Sequence, residues 1–204
     1  MTELTGYIIH TRPHNERTQF AVVFTETYGV VGIATPTKRL LSQFCQYQLC
    51  EQRGKLKLLS PISLAPTLTG NSLYCAMYLN ELIYRFCKPR DAHSKLYRDY
   101  HICLNKIMDP QTREASLRYF ELCVLEASGY GIDISHINSP YVKFDKYNGL
   151  TESFSPCPKS TSTHALIQML ERMQPSPEIK RFFRHIIQSI LPSNIQSGLF
   201  YEKI

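Results

Sequence analysis

Short runs of alternating apolar and polar residues, rich in β-branched and aromatic side chains, dominate the first third of the chain. Such runs are typical of β-structure. The pattern predicts five short strands, at residues 7–11, 18–25, 30–35, 44–50 and 55–60. Between them, residues 26–29 and 51–54 predict tight turns, because each ends in a glycine that can adopt positive φ. Five short strands that begin as a meander favour an OB-type barrel, although an SH3-like barrel fits almost as well.

After Pro66 the apolar positions change to helical spacing. One face of the first predicted helix carries Leu79, Leu82, Ile83 and Phe86, which follow the i, i+3, i+4, i+7 pattern. The pattern predicts four further helices: one capped by Asp91, one opened by Asp109-Pro110 and ending near Ser128, one around residues 166–173, and one starting at Ser176-Pro177. The segment 119–125 is apolar on nearly every side, so we expect it to lie in the centre of the core.

Together these patterns predict an α+β protein with two parts. Residues 1–67 would form an N-terminal five-stranded OB-type β-barrel, and residues 68–204 an all-helical domain. Residues 129–161 would be an irregular segment of that second domain, because they are rich in glycine, proline and asparagine. Short strands are expected there around Tyr141–Phe144.

Composition narrows the class of protein. Hydrophobic residues make up 43% and charged residues 20% of the chain, which is typical of a globular protein. The seven cysteines include no C-x-x-C pair, which favours reduced thiols. The first six residues carry no signal-peptide pattern, and no apolar run approaches the length of a membrane span. We therefore expect a cytoplasmic protein that does not interact with membranes.

The sequence offers no catalytic or metal-binding pattern. Phosphate-binding glycine loops, nucleophile elbows and zinc-protease motifs are all missing from it. His10 and His14 lack neighbouring ligands, and so do Cys157 and His164. Glu121 is better explained by an ion pair with Arg118, three residues earlier on the same helix. We therefore expect a protein that is not an enzyme and that needs no cofactor.

Binding chemistry is better represented, and the net charge of +6 is compatible with a polyanionic partner without establishing one. Cations concentrate in the predicted loops and last strand of the barrel, where OB-folds bind their ligands. The predicted DNA-binding residues are Arg12, His14, Arg17, Lys38, Arg39, Lys55 and Lys57. The sequence leaves open whether aromatic residues such as Phe20 and Tyr28 stack on bases or fill the barrel.

A second basic stretch lies between residues 85 and 106, where six cations face few acids nearby in the sequence. It is either a solvated helix face or a continuation of the DNA path onto the helical domain. Both interpretations remain open from the sequence.

Two sets of motifs resemble a known family. Residues 6–13 (GYIIHTRP), followed by Glu16 and residues 23–29 (VFTETYG), are similar to the opening of bacterial RecO proteins. The second set is similar to RecO motifs in the same order: Leu73-Tyr74, residues 78–82 (YLNEL), residues 117–122 (LRYFEL) and residues 129–131 (GYG). The ordered pair of sets spans about residues 6–133, and beyond Asp133 the resemblance is faint.

The resemblance implies a DNA-binding recombination mediator of the RecF–RecO–RecR pathway. Such a protein binds single- and double-stranded DNA and anneals complementary strands. With RecR, it assists RecA loading onto DNA coated by the single-strand-binding protein SSB. It is located in the cytoplasm and associates with the nucleoid. It also binds the acidic C-terminal tail of SSB on its helical domain. By this resemblance Arg118 would bind that tail, and Lys180, Arg181 and Arg184 are compatible by residue type. The alternative is an adaptor that binds an acidic partner peptide without DNA activity.

The chain also departs from the family pattern. Residues 33–39 (IATPTKR) replace a V-A-K-G-A-R motif, so one cation and a flexible glycine are absent. We expect this change to weaken or redirect DNA contacts. The two zinc-binding C-x-x-C pairs of some relatives are absent as well, and the segment 133–165 is shorter than usual, which leaves its role open.

Overall fold

The structure is a computed structural model that describes residues 4–63, 66–191 and 195. The N-terminal part is a five-stranded antiparallel sheet in the order β3-β2-β1-β4-β5. Its strands are β1 (Leu4–Pro13), β2 (Thr18–Thr25), β3 (Gly29–Pro36), β4 (Gln46–Gln52) and β5 (Lys55–Pro61). All five predicted strands are confirmed. So is the turn before β3, where Gly29 has φ 60°.

The sheet curves around an apolar interior but does not close. Ile8, Val23, Val31, Tyr47 and Leu58 pack together inside it. Strands β3 and β5 are the two edges of the sheet, and β4 and β5 follow β1 in the order of an OB-fold. The structure is therefore an OB-like barrel left open between β3 and β5.

Five helices follow the barrel in the described part of the chain. They are α1 (Asn71–Phe86), α2 (Ser94–Lys106), α3 (Pro110–Ala127), α4 (Thr163–Arg172) and α5 (Pro177–Ile190). The predicted starts of α3 and α5 are confirmed, since Asp109 accepts a hydrogen bond from the backbone of Gln111 and Ser176 accepts one from Ile179. The predicted cap of α2 is wrong: His93, not Asp91, precedes that helix. Asp91 belongs instead to a connection that packs against β3.

The second part of the chain is not all-helical. Residues 141–162, predicted as irregular apart from short strands near Tyr141–Phe144, form a three-stranded sheet in the order β7-β6-β8. Its strands are β6 (Tyr141–Asp145), β7 (Gly149–Ser153) and β8 (Ser160–Ser162). β6 matches the strand expected around Tyr141–Phe144, whereas β7 and β8 are short and rich in small polar residues, so the sequence pattern did not indicate them. The α+β class is confirmed.

The barrel and the helices share one core. Tyr7 and Phe24, on the outer face of β1 and β2, belong to the same buried cluster as Leu79 of α1 and Tyr100 of α2. Asn80 of α1 adds a polar link, because its amide donates to the carbonyl of Ile9 at 3.1 Å. The barrel is thus held in a fixed position against α1 and α2. A domain boundary at residues 67/68 stays a prediction.

Candidate nucleic-acid interface

An open groove of about 560 Å³ lies between the two barrel edges, β3 and β5. Its floor includes Gly32 and Ala34, whose side-chain positions point outward from β3. The other side is formed by Lys55, Leu56 and Lys57 of β5. Strands β2 and β3 and the β4–β5 loop are where OB-folds bind oligonucleotides, so this groove is the candidate site.

A cluster of cationic and aromatic side chains lies at one end of the groove. Phe20 of β2 pairs with Arg12 of β1 on one side and with Ala34 of β3 on the other. The guanidinium carbon of Arg12 lies 5.3 Å from the centre of the Phe20 ring, and the His14 ring packs edge-on against Phe20 with centroids 4.7 Å apart. Arg12 and His14 are exposed. This cluster can offer a ring and two nitrogen-bearing groups to one ligand.

Two further predicted cations lie at the same end of the barrel. The loop after β1 is linked to the loop after β3, because the backbone N–H of Thr37 donates to the carbonyl of Arg17 at 2.9 Å. Lys38 follows directly, and the side chains of Arg17 and Lys38 are both exposed. The structure therefore brings Arg12, His14, Arg17 and Lys38 together at one end.

Arg39 occupies the same loop but has a structural contact. Its Nη1 donates to the carbonyl of Leu58 at 2.7 Å, and its Nη2 donates to the carbonyl of Leu59. These bonds connect the end of β3 to β5 across the open side of the barrel. Arg39 thus links the two edges of the open barrel at this end, a role that the sequence did not reveal.

Replacing Arg39 with alanine should therefore destabilise the barrel. Charge-assisted hydrogen bonds contribute about 1.5–3 kcal/mol each, and partial exposure reduces that value, so we expect a loss of about 1–3 kcal/mol. Urea denaturation followed by circular dichroism measures this loss. Lys38→Ala is the matched control, because it removes a neighbouring exposed cation, and it should change stability by less than about 0.5 kcal/mol. Equal stabilities of the two variants would contradict the role given to Arg39.

The opposite end of the groove is formed by residues from both parts of the chain. The hydroxyl of Tyr28 donates to Glu51 at 2.7 Å, next to Lys55. The α1–α2 connection, residues 87–93, supplies Pro89 and Arg90 as a wall. It pairs with the start of β3, since the backbone N–H of Arg90 donates to the carbonyl of Val30 at 3.0 Å. Arg90 thus joins the groove from the helical part.

Three other cations of the second basic stretch form ion pairs, two of them with acids that are distant in sequence. Lys95 lies 2.7 Å from Glu126, and Arg98 lies 3.0 Å from Glu26. Arg85 pairs with Glu81 one helical turn away, at 3.2 Å. These contacts favour the interpretation of a solvated helix face for Arg85, Lys95 and Arg98, whereas Arg90 lines the groove.

Arg118, one of the residues predicted to bind a partner peptide, forms a buried ion pair with Glu121. Arg118 is only 2% exposed, and its Nη2 lies 2.8 Å from Glu121, which confirms the predicted pairing on α3. The hydroxyl of Tyr78 on α1 donates to the same carboxylate at 2.5 Å. Burial raises the pKa of Glu121, and the charge of Arg118 opposes that rise. The guanidinium of Arg118 therefore compensates the charge of a buried carboxylate inside the protein.

The other predicted peptide-binding cations lie on α5 beside this pair. Lys180 is 3.9 Å from Glu114, which also lies 3.7 Å from Arg118. Arg184 is half-buried and close enough to Glu121 to lower its pKa, and Arg181 is exposed. Peptide binding at these residues stays a prediction.

The sequence left the role of Arg90, a member of the second basic stretch, open, and it left the role of Phe20 open as well. The alternation along β2 indicates only that Phe20 and Phe24 share a face, and it does not show that the helices cover Phe24 alone. In the described part of the chain there is no group of three or more His, Cys, Asp and Glu that could hold a metal ion. None of the described helices is long and apolar enough to cross a membrane.

Comparison with known proteins places the motifs in a family. Residues 68–153 match the family model described as "Recombination protein O C terminal". A protein named "DNA repair protein RecO" from Proteus mirabilis is 38% identical over 144 residues, which are 64% of this chain and 58% of that protein. One with the same name from Vibrio cholerae is 37% identical over 142 residues, which are 64% of this chain and 59% of that protein.

These two alignments span less than two thirds of the relatives' own length. A third relative, "DNA repair protein RecO" from Aliivibrio fischeri, matches over more of both chains. It is 31% identical over 211 residues, which are 91% of this chain and 88% of that protein. The similarity thus reaches beyond the helices into the barrel.

Proposed function

The chain belongs to the RecO family of DNA repair proteins, and on that basis we propose that it is a DNA-binding recombination mediator of the RecF–RecO–RecR pathway. In this role it anneals complementary strands and assists RecA loading onto SSB-coated single-stranded DNA. It would bind single- and double-stranded DNA, RecR and the SSB tail. It would be located in the cytoplasm and associate with the nucleoid. It would act through binding, without a catalytic step.

The observation that carries the proposal is the groove between β3 and β5. It has Phe20 with Arg12 and His14 at one end and Tyr28 with Arg90 at the other. Rings accept stacked bases and cations bind the phosphates between them, which is how single-strand binders hold their ligand. The lysines of β5 lie along one side, where a phosphate backbone can follow them.

The first test measures binding of a fluorescent oligonucleotide at increasing salt. Phosphate contacts release counterions, so the logarithm of affinity should fall linearly with the logarithm of salt concentration. Replacing Arg12, Arg17 and Lys38 together with alanine should make the slope shallower by about 2, because each single-strand phosphate contact contributes about 0.7. Binding at low salt should also weaken.

Arg172→Ala is the control, because Arg172 is exposed on α4 and belongs neither to the barrel-end cations nor to the second basic stretch. If it changed the slope as much as the triple variant does, the barrel-end assignment would be lost. Complete absence of salt-sensitive binding near micromolar protein would refute the mediator proposal. In that case a titration with an acidic peptide ending in phenylalanine would test the alternative, an adaptor without DNA activity.

A further inference from the structure

Helix α1 carries a row of exposed apolar side chains, which we call the α1 stripe: Tyr74, Met77 and Tyr84. They are 36%, 41% and 45% exposed. At 3.6 residues per turn these positions lie within an arc of about 80° on the helix. Exposed apolar residues are usually scattered singly, so an aligned row on one helix face indicates a contact surface.

The α1 stripe is continuous with the candidate groove. The ring of Tyr84 lies 5.2 Å from the ring of His10 on β1. His10 and Arg12 point to the same side of that strand, because they pair with Val22 and Phe20 on β2. Arg12 in turn lies over Phe20, which lines the groove. A row of rings therefore leads from the groove across β1 to α1.

The charges beside this row favour a polyanion with planar groups. Arg12, Arg17 and Lys38 are exposed where the row leaves the groove. The acidic member of the α1 face, Glu81, is partly neutralised by Arg85 at 3.2 Å. Single-stranded nucleic acid matches both features, since phosphates bind the cations and bases stack on the rings.

We propose that single-stranded nucleic acid leaves the groove at Phe20, crosses His10 and continues along the α1 stripe, where bases stack on Tyr84 and Tyr74. This inference rests on the proposed function. It adds a second segment to the binding path, so a long strand contacts both the barrel and α1, whereas a short strand occupies the groove alone.

The chain contains no tryptophan, so a single introduced tryptophan reports on its own surroundings. In the full chain with Tyr84→Trp, an oligothymidine of about 20 nucleotides should quench the emission, whereas one of about 6 should have little effect, since one OB-fold occupies about 4–16 nucleotides. Tyr147→Trp is the matched control, because Tyr147 is 88% exposed on the β6–β7 turn. Its emission should not change.

A second variant measures the contribution to affinity. Tyr84→Ala should weaken binding of the long oligothymidine about tenfold, which corresponds to the loss of one stacked base, and change binding of the short one less than about twofold. Normal affinity of Tyr84→Ala, together with unchanged emission of Tyr84→Trp while the long strand is bound, would overturn this inference and leave the proposed function intact. A response of Tyr84→Trp to an acidic peptide ending in phenylalanine, but not to DNA, would also overturn it. Failure of both oligonucleotides to bind the unmodified protein would instead refute the proposed function.

Discussion

Replacing Arg118 with methionine should destabilise the protein by about 3–5 kcal/mol at neutral pH, because the substitution leaves a buried carboxylate without its ion-pair partner. Glu121 is 1% exposed, and the guanidinium of Arg118 is the main contact that keeps its pKa from rising further. Methionine fills a similar volume, so the loss should report the charge and not a cavity. Urea denaturation at pH 7 measures it.

The loss should depend on pH. In the variant the pKa of Glu121 rises further above its value in the unfolded chain, so the folded state binds a proton more tightly than the unfolded one. The stability that this proton contributes is fully present below the unfolded pKa and is lost as pH rises through the folded pKa. The difference between the unmodified protein and Arg118→Met should therefore be largest near pH 7 and shrink towards pH 5.

The double variant Arg118→Met/Glu121→Leu is the control. A buried ion pair can often be replaced by apolar residues of similar volume at little cost, because the desolvation penalty of both charges disappears. We therefore expect the double variant to regain most of the stability that Arg118→Met loses. A double variant as unstable as the single one would show that the loss comes from packing and not from the carboxylate of Glu121.

The second large effect is expected at Gly29, the first residue of β3. A Cβ at this position would lie 1.9 Å from the carbonyl oxygen of Asp91 in the α1–α2 connection, and the φ of 60° also disfavours side chains. Gly29→Ala should therefore cost more than about 3 kcal/mol, since both backbone strain and a backbone clash must be relieved. A thermal or urea midpoint gives the value.

Gly54 provides a matched control for this prediction. It also has a positive φ, 71°, but a Cβ there would meet nothing within 4 Å. Gly54→Ala should cost only about 1–2 kcal/mol, the usual penalty for a left-handed conformation. Similar losses at both glycines would mean that the connection moves away from β3 easily. The difference between the two losses in unfolding free energy would measure how tightly the α1–α2 connection packs against β3.

Features that depend on neighbouring residues could be predicted from the sequence. The start of α3 was evident from Asp109-Pro110 and that of α5 from Ser176-Pro177, because a capping side chain and a proline act on the next helical turn. The five barrel strands followed from their alternation, and the pairing of Arg118 with Glu121 followed from helical spacing. Each of these signals acts over a few residues.

Features that depend on distant residues could not be predicted. Arg39 bonds to strand β5, nineteen positions further along, and nothing near Arg39 distinguishes it from Lys38. Arg90 reaches the groove because the α1–α2 connection pairs with β3. The position of Asp91 outside α2 has the same origin. The sequence therefore indicated most cations of the candidate site, but not that Arg39 is used to hold the fold together.

The core that the barrel shares with α1 and α2 has a consequence for how the molecule comes apart. Tyr7 and Phe24 are 3% and 0% exposed only because the helices cover the outer face of the sheet. A fragment ending near residue 67 would present that face to water as an apolar patch, which favours self-association. Although the two parts differ in architecture, we therefore expect the barrel and the helices that cover it to unfold in a single cooperative transition. A substitution that destabilises either part should therefore lower the stability of both.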